Sequence, residues 1–86
     1  MKESDKRMEE ALEVFGLTPT EAKVYVTLLN LGPSTAGILA RKAGIHRRSA
    51  YDVTDRLSQK GLVGYIIKNN KKYFKSYARN YIITQF

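Results

Sequence analysis

Gly44-Ile45-His46-Arg47-Arg48-Ser49-Ala50-Tyr51-Asp52-Val53-Thr54-Asp55-Arg56-Leu57-Ser58-Gln59-Lys60-Gly61 is the stretch that decides the fold. It reads as one helix held between two glycines, with paired arginines in its opening turn. Ala50, Thr54 and Leu57, with Val53 beside them, recur at helical spacing and form a modest inward stripe. Arg47, Arg48, Ser49, Tyr51, Asp52 and Asp55 are left on the other faces, so the helix presents donors and acceptors outward. A helix that begins with two arginines after a tight Gly-Ile turn suits a reader of the DNA major groove. Its first residues would point at base edges and phosphates, and an arginine can grip guanine or a phosphate with two hydrogen bonds.

The flanking sequence supplies the rest of such a domain. Ser4 to Phe15 reads as a first helix, with Met8, Ala11, Leu12 and Phe15 on one side and Gly16 available as a left-handed cap. Thr18-Pro19-Thr20-Glu21 is a capping box with proline in the first helical position, a strong start signal. The helix it opens carries apolar residues over a wide arc (Ala22, Tyr25, Val26, Leu28, Leu29 and Leu31) and stops at Gly32-Pro33, as a central core helix would. Ser34 or Thr35 then caps a short helix, Ala36 to Ala43, closed by Gly44. Gly37 inside that helix costs about 1 kcal/mol relative to alanine. Either the close approach of a neighbouring helix offsets that cost, or the position is locally unoptimised.

After Gly61 the pattern changes. Leu62 to Lys68 and Lys72 to Tyr77 are β-branched and aromatic, and Asn69-Asn70-Lys71 lies between them. Asparagine tolerates positive φ, so this reads as a β-hairpin with a basic tip. The expected fold is mainly α with a small β-hairpin, a winged helix-turn-helix in a single domain over residues 1–86. The helix-turn-helix occupies 35–61, the wing 62–77 and a tail 78–86.

Charge points the same way. The formal net charge is +7, but residues 1–31 carry four cations against six acids, whereas residues 32–86 carry eleven cations against Asp52 and Asp55 alone. Charge segregated in this way favours a polyanionic partner over general solubility. The chain has no cysteine, which excludes disulfides and thiolate metal sites, and its one histidine, His46, has no companion ligand. No apolar run approaches the roughly 20 residues of a membrane span. The acid-rich start, Met1 to Glu13, has no apolar signal region. A cytoplasmic protein without cofactor or metal is expected. Catalysis finds no support, because there is no cysteine nucleophile, no recognisable acid–base pair and no glycine-rich phosphate loop after a strand.

Several stretches of this sequence are familiar as a set. Leu17-Thr18-Pro19-Thr20-Glu21-Ala22-Lys23-Val24-Tyr25, then Gly44-Ile45-His46-Arg47-Arg48-Ser49, then Tyr51-Asp52-Val53 and Arg56-Leu57 with Lys60-Gly61-Leu62-Val63 resemble the DNA-binding domain of the TrmB-like family. These are mainly archaeal winged-helix transcriptional regulators, many of them sugar-responsive. The resemblance implies promoter binding as a dimer, with Arg47, Arg48, Ser49 and Tyr51 facing DNA and the wing on the backbone or in the minor groove. It departs at Thr54, where such helices usually place leucine, and at Ile38, in a commonly acidic position. Larger members continue into an effector-binding domain; none is expected within these 86 residues.

The expected DNA-contacting set is therefore His46, Arg47, Arg48, Ser49, Tyr51 and Asp52 on the helix, with Lys68, Asn70, Lys71 and Lys72 on the wing. Several have a plainer alternative, and Arg47 and Arg48 can simply open a solvated helix. Asp52 and Asp55 can pair with arginines on their own helix as readily as accept from cytosine. His46 can cap its helix or meet a phosphate. The wing lysines can guard a hairpin edge, and Tyr65, Tyr73, Phe74 and Tyr77 can pack the sheet. A homodimer is expected through Met8, Leu12 and Phe15 together with Tyr81, Ile82, Ile83 and Phe86 of the tail. The competing function is a winged-helix module that recruits a protein, with exposed Ile38 and the apolar tail in its favour. RNA binding ranks last, for want of an exposed aromatic sheet face.

Overall fold

The two central helices of the computed structural model, which describes residues 3–77, begin and end on local signals. Helix α1 runs Glu3–Val14, α2 Pro19–Leu31, α3 Ala36–Ala43 and α4 Arg47–Gln59, followed by strands β1 (Val63–Lys68) and β2 (Lys71–Ser76). The capping box forms as expected: the Glu21 amide donates to the Thr18 hydroxyl at 3.1 Å, and the Thr18 amide donates to Glu21 Oε1 at 3.0 Å. Thr35, rather than Ser34, caps α3, and Gly44 closes it in the left-handed region at φ 73°, ψ 35°. A side chain there would be strained, so glycine permits the abrupt turn from α3 into α4.

The core is built on α2. Tyr25 and Leu28 are buried in it against Leu39 of α3, Leu57 of α4, Val63 of β1 and Phe74 of β2. Alanines at 22, 36, 40, 43 and 50 fill the same cluster, and side chains of that size let the helices approach closely. Thr54 is buried where leucine is usual, and its hydroxyl is satisfied by the carbonyls of Ala50 at 2.8 Å and Tyr51 at 3.0 Å. Satisfying the hydroxyl inside its own helix removes most of the penalty of burying it.

The hairpin corrects the expected turn. Lys71 belongs to β2 and pairs with Lys68, so the connection is two residues, Asn69 and Asn70, both at positive φ (53° and 62°). A two-residue turn of this handedness matches the twist of the flanking strands, and asparagine tolerates it. The ladder is anchored away from its tip. Ser34 and Phe74 exchange backbone hydrogen bonds of 3.0 and 2.7 Å, tying β2 to the loop before α3. The Ser76 hydroxyl also donates to the Tyr25 hydroxyl at 3.0 Å. Burial pushes the Tyr25 hydroxyl above its ordinary pKa, and the Ser76 hydrogen bond offsets part of that rise.

Helix α1 lies at the edge of the domain. None of its residues is buried, and its half-buried positions are Asp5, Glu9 and Leu12. Leu12 packs against the core cluster and Asp5 accepts a hydrogen bond from Asn30 at 3.1 Å. Met8, Ala11 and Phe15 lie about a quarter-turn away round the helix and are exposed. Phe15 retains 83% of its accessible surface and Val14 85%. The expected contributions of Tyr81, Ile82, Ile83 and Phe86 lie outside the described residues.

Candidate nucleic-acid interface

The opening of α4 is where the expected contacts concentrate. His46 stands at the N-cap in extended conformation (φ −71°, ψ 150°) with no side-chain hydrogen bond to the helix. Of its two expected roles, capping is not the one seen. Arg47 and Arg48 take the first two helical positions and are exposed, and among the described residues neither makes an ion pair. Positive charge at a helix N-terminus opposes the macrodipole, so this placement gains nothing locally. Ser49 is half-buried and Tyr51 is exposed one turn on from Arg47.

The wing brings its own cations to the same side. A cleft of about 440 Å³ lies between the start of α3, α4 and the wing tip; Gly37, Arg47, Tyr51, Asn70, Lys71 and Lys72 are on its walls. Arg47 reaches across to α3, and the space beside Gly37 is taken by its guanidinium: a Cβ built on Gly37 would stand 2.9 Å from Arg47 Nη2. Of the two expected accounts of Gly37, close approach from a neighbouring helix is the one the geometry favours, and what approaches is a side chain.

Lys72 is held from below. Its Nζ stands 4.0 Å from the centre of the Tyr65 ring and 5.5 Å from that of Phe74, and those rings meet edge to face at 6.3 Å. A cation over aromatic faces is attracted by the ring quadrupole. Lys68 and Lys71 oppose each other across the ladder beside the turn. Like charges directly opposite destabilise a hairpin. Both arrangements keep positive charge at the tip, and among the described residues no carboxylate pairs with it.

The other end of α4 is chemically different. Asp52 pairs with Arg56 one turn along the helix, and Asp55 accepts from Gln59 Nε2 at 3.1 Å. Asp52, expected as a possible base reader, is thus engaged within its own helix. Lys60 Nζ donates to Glu21 Oε1 at 2.7 Å, and Arg56 Nη1 lies 3.8 Å from Glu21 Oε2. The Glu21 side chain is only 2% exposed. Burial pushes its pKa up, but the Lys60 and Thr18 hydrogen bonds and the charges of Lys60 and Arg56 outweigh that, holding it below the ordinary 4.5. Its role as a tie between α2 and α4 is not legible in the sequence, where Glu21 is only the last residue of a capping box. No helix among the described residues is long and apolar enough to cross a membrane.

Comparison with known proteins places this geometry. Residues 12–78 match the family described as sugar-specific transcriptional regulator TrmB. The HTH-type sugar sensing transcriptional regulator TrmBL1 of Pyrococcus furiosus is 39% identical over 62 residues, which cover 72% of this chain and 18% of that protein. The structure of TrmBL2, an archaeal chromatin protein described as showing a novel mode of DNA binding, superposes with a TM-score of 0.78 at 26% identity, over 95% of this chain and 31% of that one. A MarR family protein from Bacillus stearothermophilus shares the fold, with a TM-score of 0.73 at 24% identity over 93% of this chain and 57% of its own. The chain thus spans less than a third of the two TrmB-like relatives.

Proposed function

The chain belongs to the TrmB family of winged-helix transcriptional regulators, and we propose that it binds double-stranded DNA sequence-specifically, with α4 in the major groove and the wing on the backbone or in the minor groove. The observation that carries this reading is a single cleft onto which Arg47 of α4 and Lys71 and Lys72 of the wing converge. Phosphate neutralisation by these cations supplies most of the affinity. Base contacts from Arg48, Ser49 and Tyr51 supply the specificity, with His46 beside them and Lys68 and Asn70 completing the wing's contribution. The family is one of regulators rather than enzymes. We place the protein in the cytoplasm, where its DNA target lies.

Selection from a pool of random duplexes, followed by sequencing, tests the function directly. An enriched motif is expected, and a pool that stays unenriched would overturn sequence specificity. The recruiting-module reading draws on the exposed Ile38, and a chain with no affinity for any duplex at low salt would favour it.

We further propose that the protein acts as a homodimer. A single winged helix reads only a short half-site, and two-fold pairing presents a second reading helix one helical turn away or a multiple of it. Exposed Met8 and Phe15 are available for the contact, whereas Leu12 is already half-buried against the core. The tail residues Tyr81, Ile82, Ile83 and Phe86 are the other half of the proposed surface. Light scattering at micromolar concentration is expected to give a dimer for the full chain and a monomer for a version ending at Tyr77.

A further inference from the structure

We propose that Gly37 is a positioning residue for DNA binding: its missing side chain seats the Arg47 guanidinium between α3 and the wing tip, where with Lys71 and Lys72 it takes a backbone phosphate. The inference rests on the DNA-binding reading above and assigns Arg47 to the phosphate backbone, leaving base edges to its neighbours on α4.

The backbone does not need glycine at this position. Gly37 lies within α3 and is not among the glycines with positive φ. A glycine inside a helix destabilises it relative to alanine, because it adds freedom to the unfolded chain. What the position does need is room. A Cβ there would clash with Arg47 Nη2 at 2.9 Å and stand in ordinary contact with its Nε at 3.4 Å and Cζ at 3.5 Å, with nothing else so close. The atoms displaced would be the far end of a flexible side chain, so alanine can be accommodated by swinging Arg47 out.

Among the described residues no hydrogen bond fixes the guanidinium where it lies. Arg47 makes no ion pair among the described residues, and α3 contains no acidic residue. Among the described residues no carboxylate lines the cleft, while Arg47, Lys71 and Lys72 all do. The room beside Gly37 seats a cation in a cleft that two more cations line, and their mutual repulsion would be relieved by an anion between them. The first helix of a helix-turn-helix crosses the DNA backbone. A guanidinium laid against the start of α3 therefore meets a phosphate, and the fork geometry of arginine suits that contact.

The test uses Gly37→Ala, Arg47→Ala and the double variant on the full chain, with a fluorescein-labelled duplex of mixed sequence, roughly two helical turns long, and with the selected site. Gly37→Ala is expected to raise Tm by roughly 2–6 °C, because alanine favours the helix. The same variant is expected to weaken binding to both duplexes several-fold. Arg47→Ala should weaken both about tenfold and flatten log affinity against log salt by about 0.9, as expected when one fewer phosphate is neutralised. In the double variant, Gly37→Ala should add nothing to Arg47→Ala. Wild-type affinity in Gly37→Ala, or a further weakening in the double variant, would overturn the positioning role. A lower Tm in Gly37→Ala would make Gly37 an ordinary packing residue. A weakening in Arg47→Ala confined to the selected site would overturn the phosphate assignment, and unchanged binding to both duplexes would remove Arg47 from the DNA interface altogether.

Discussion

Arg47 and Arg48 open α4, and Arg56 and Lys60 stand towards its close, roughly 12–20 Å further along the axis. The same residue types meet opposite environments. At the closing end the helix dipole welcomes positive charge, and Glu21 and Asp52 neutralise it. At the opening end the dipole opposes it, and among the described residues no acid pairs with either arginine. The contrast teaches that a formal charge of +7 overstates some cations and understates others. Those near Glu21 are structural, holding α4 against α2. Those at the helix opening and wing tip are left with charge to spend on a polyanion.

The largest expected effect breaks or upholds that contrast directly. Alanine at Arg48, where a base contact is proposed, should cost about 1–3 kcal/mol on the selected site, with Tm kept near wild type. Fluorescence anisotropy beside a thermal melt reads both, and the contrast fails if Arg56→Ala weakens binding as much.

Glu21→Gln is expected to cost about 1–2 kcal/mol of stability, since glutamine can keep the capping box but leaves Lys60 and Arg56 without their anion. The pH dependence sharpens the assignment. A carboxyl held below its ordinary 4.5 contributes stability that is present above that value and is lost as pH falls through the folded-state pKa. Wild-type stability, measured by urea unfolding, should therefore drop on acidification below about pH 4.5 more steeply than that of Glu21→Gln.

The wing lysines give a smaller, uniform effect. Lys71→Ala with Lys72→Ala should weaken all sequences alike and flatten the salt dependence by about 0.9 for each phosphate that is no longer neutralised. An unchanged slope would make them ordinary hairpin residues. On DNA affinity the smallest effect is that of Lys60→Ala, which should leave binding untouched while lowering stability by about 1 kcal/mol, because it takes a hydrogen bond from the buried Glu21 carboxylate.

Most of the architecture is legible in the sequence because its signals are short-range. The Thr18–Glu21 box, the left-handed Gly44 and the Ala50–Val53–Thr54–Leu57 stripe each act within a turn or two of helix. The hairpin is legible too, but its turn reads one residue too long, since Lys71 can be a loop residue or a strand residue and only pairing with Lys68 settles which. In α1 the apolar stripe is visible, yet the face turned inward carries Asp5, Glu9 and Leu12. Periodicity reveals a stripe; it does not say which side of a peripheral helix its neighbour will cover.

Local sequence, then, determined where the helices begin and end, the order of elements and the half of the chain that carries the basic charge. Each of these follows from backbone conformational preference and from groups a few residues apart. Tertiary structure alone decided which cations are free. Glu21 and Lys60 are 39 residues apart, and the pair forms only because α2 and α4 pack together. Likewise, Gly37 gains its meaning from an arginine ten positions later, brought against it by the Gly44 turn. Electrostatic pairing and steric room depend on distance in space, and the fold, more than the spacing of residues along the chain, sets those distances.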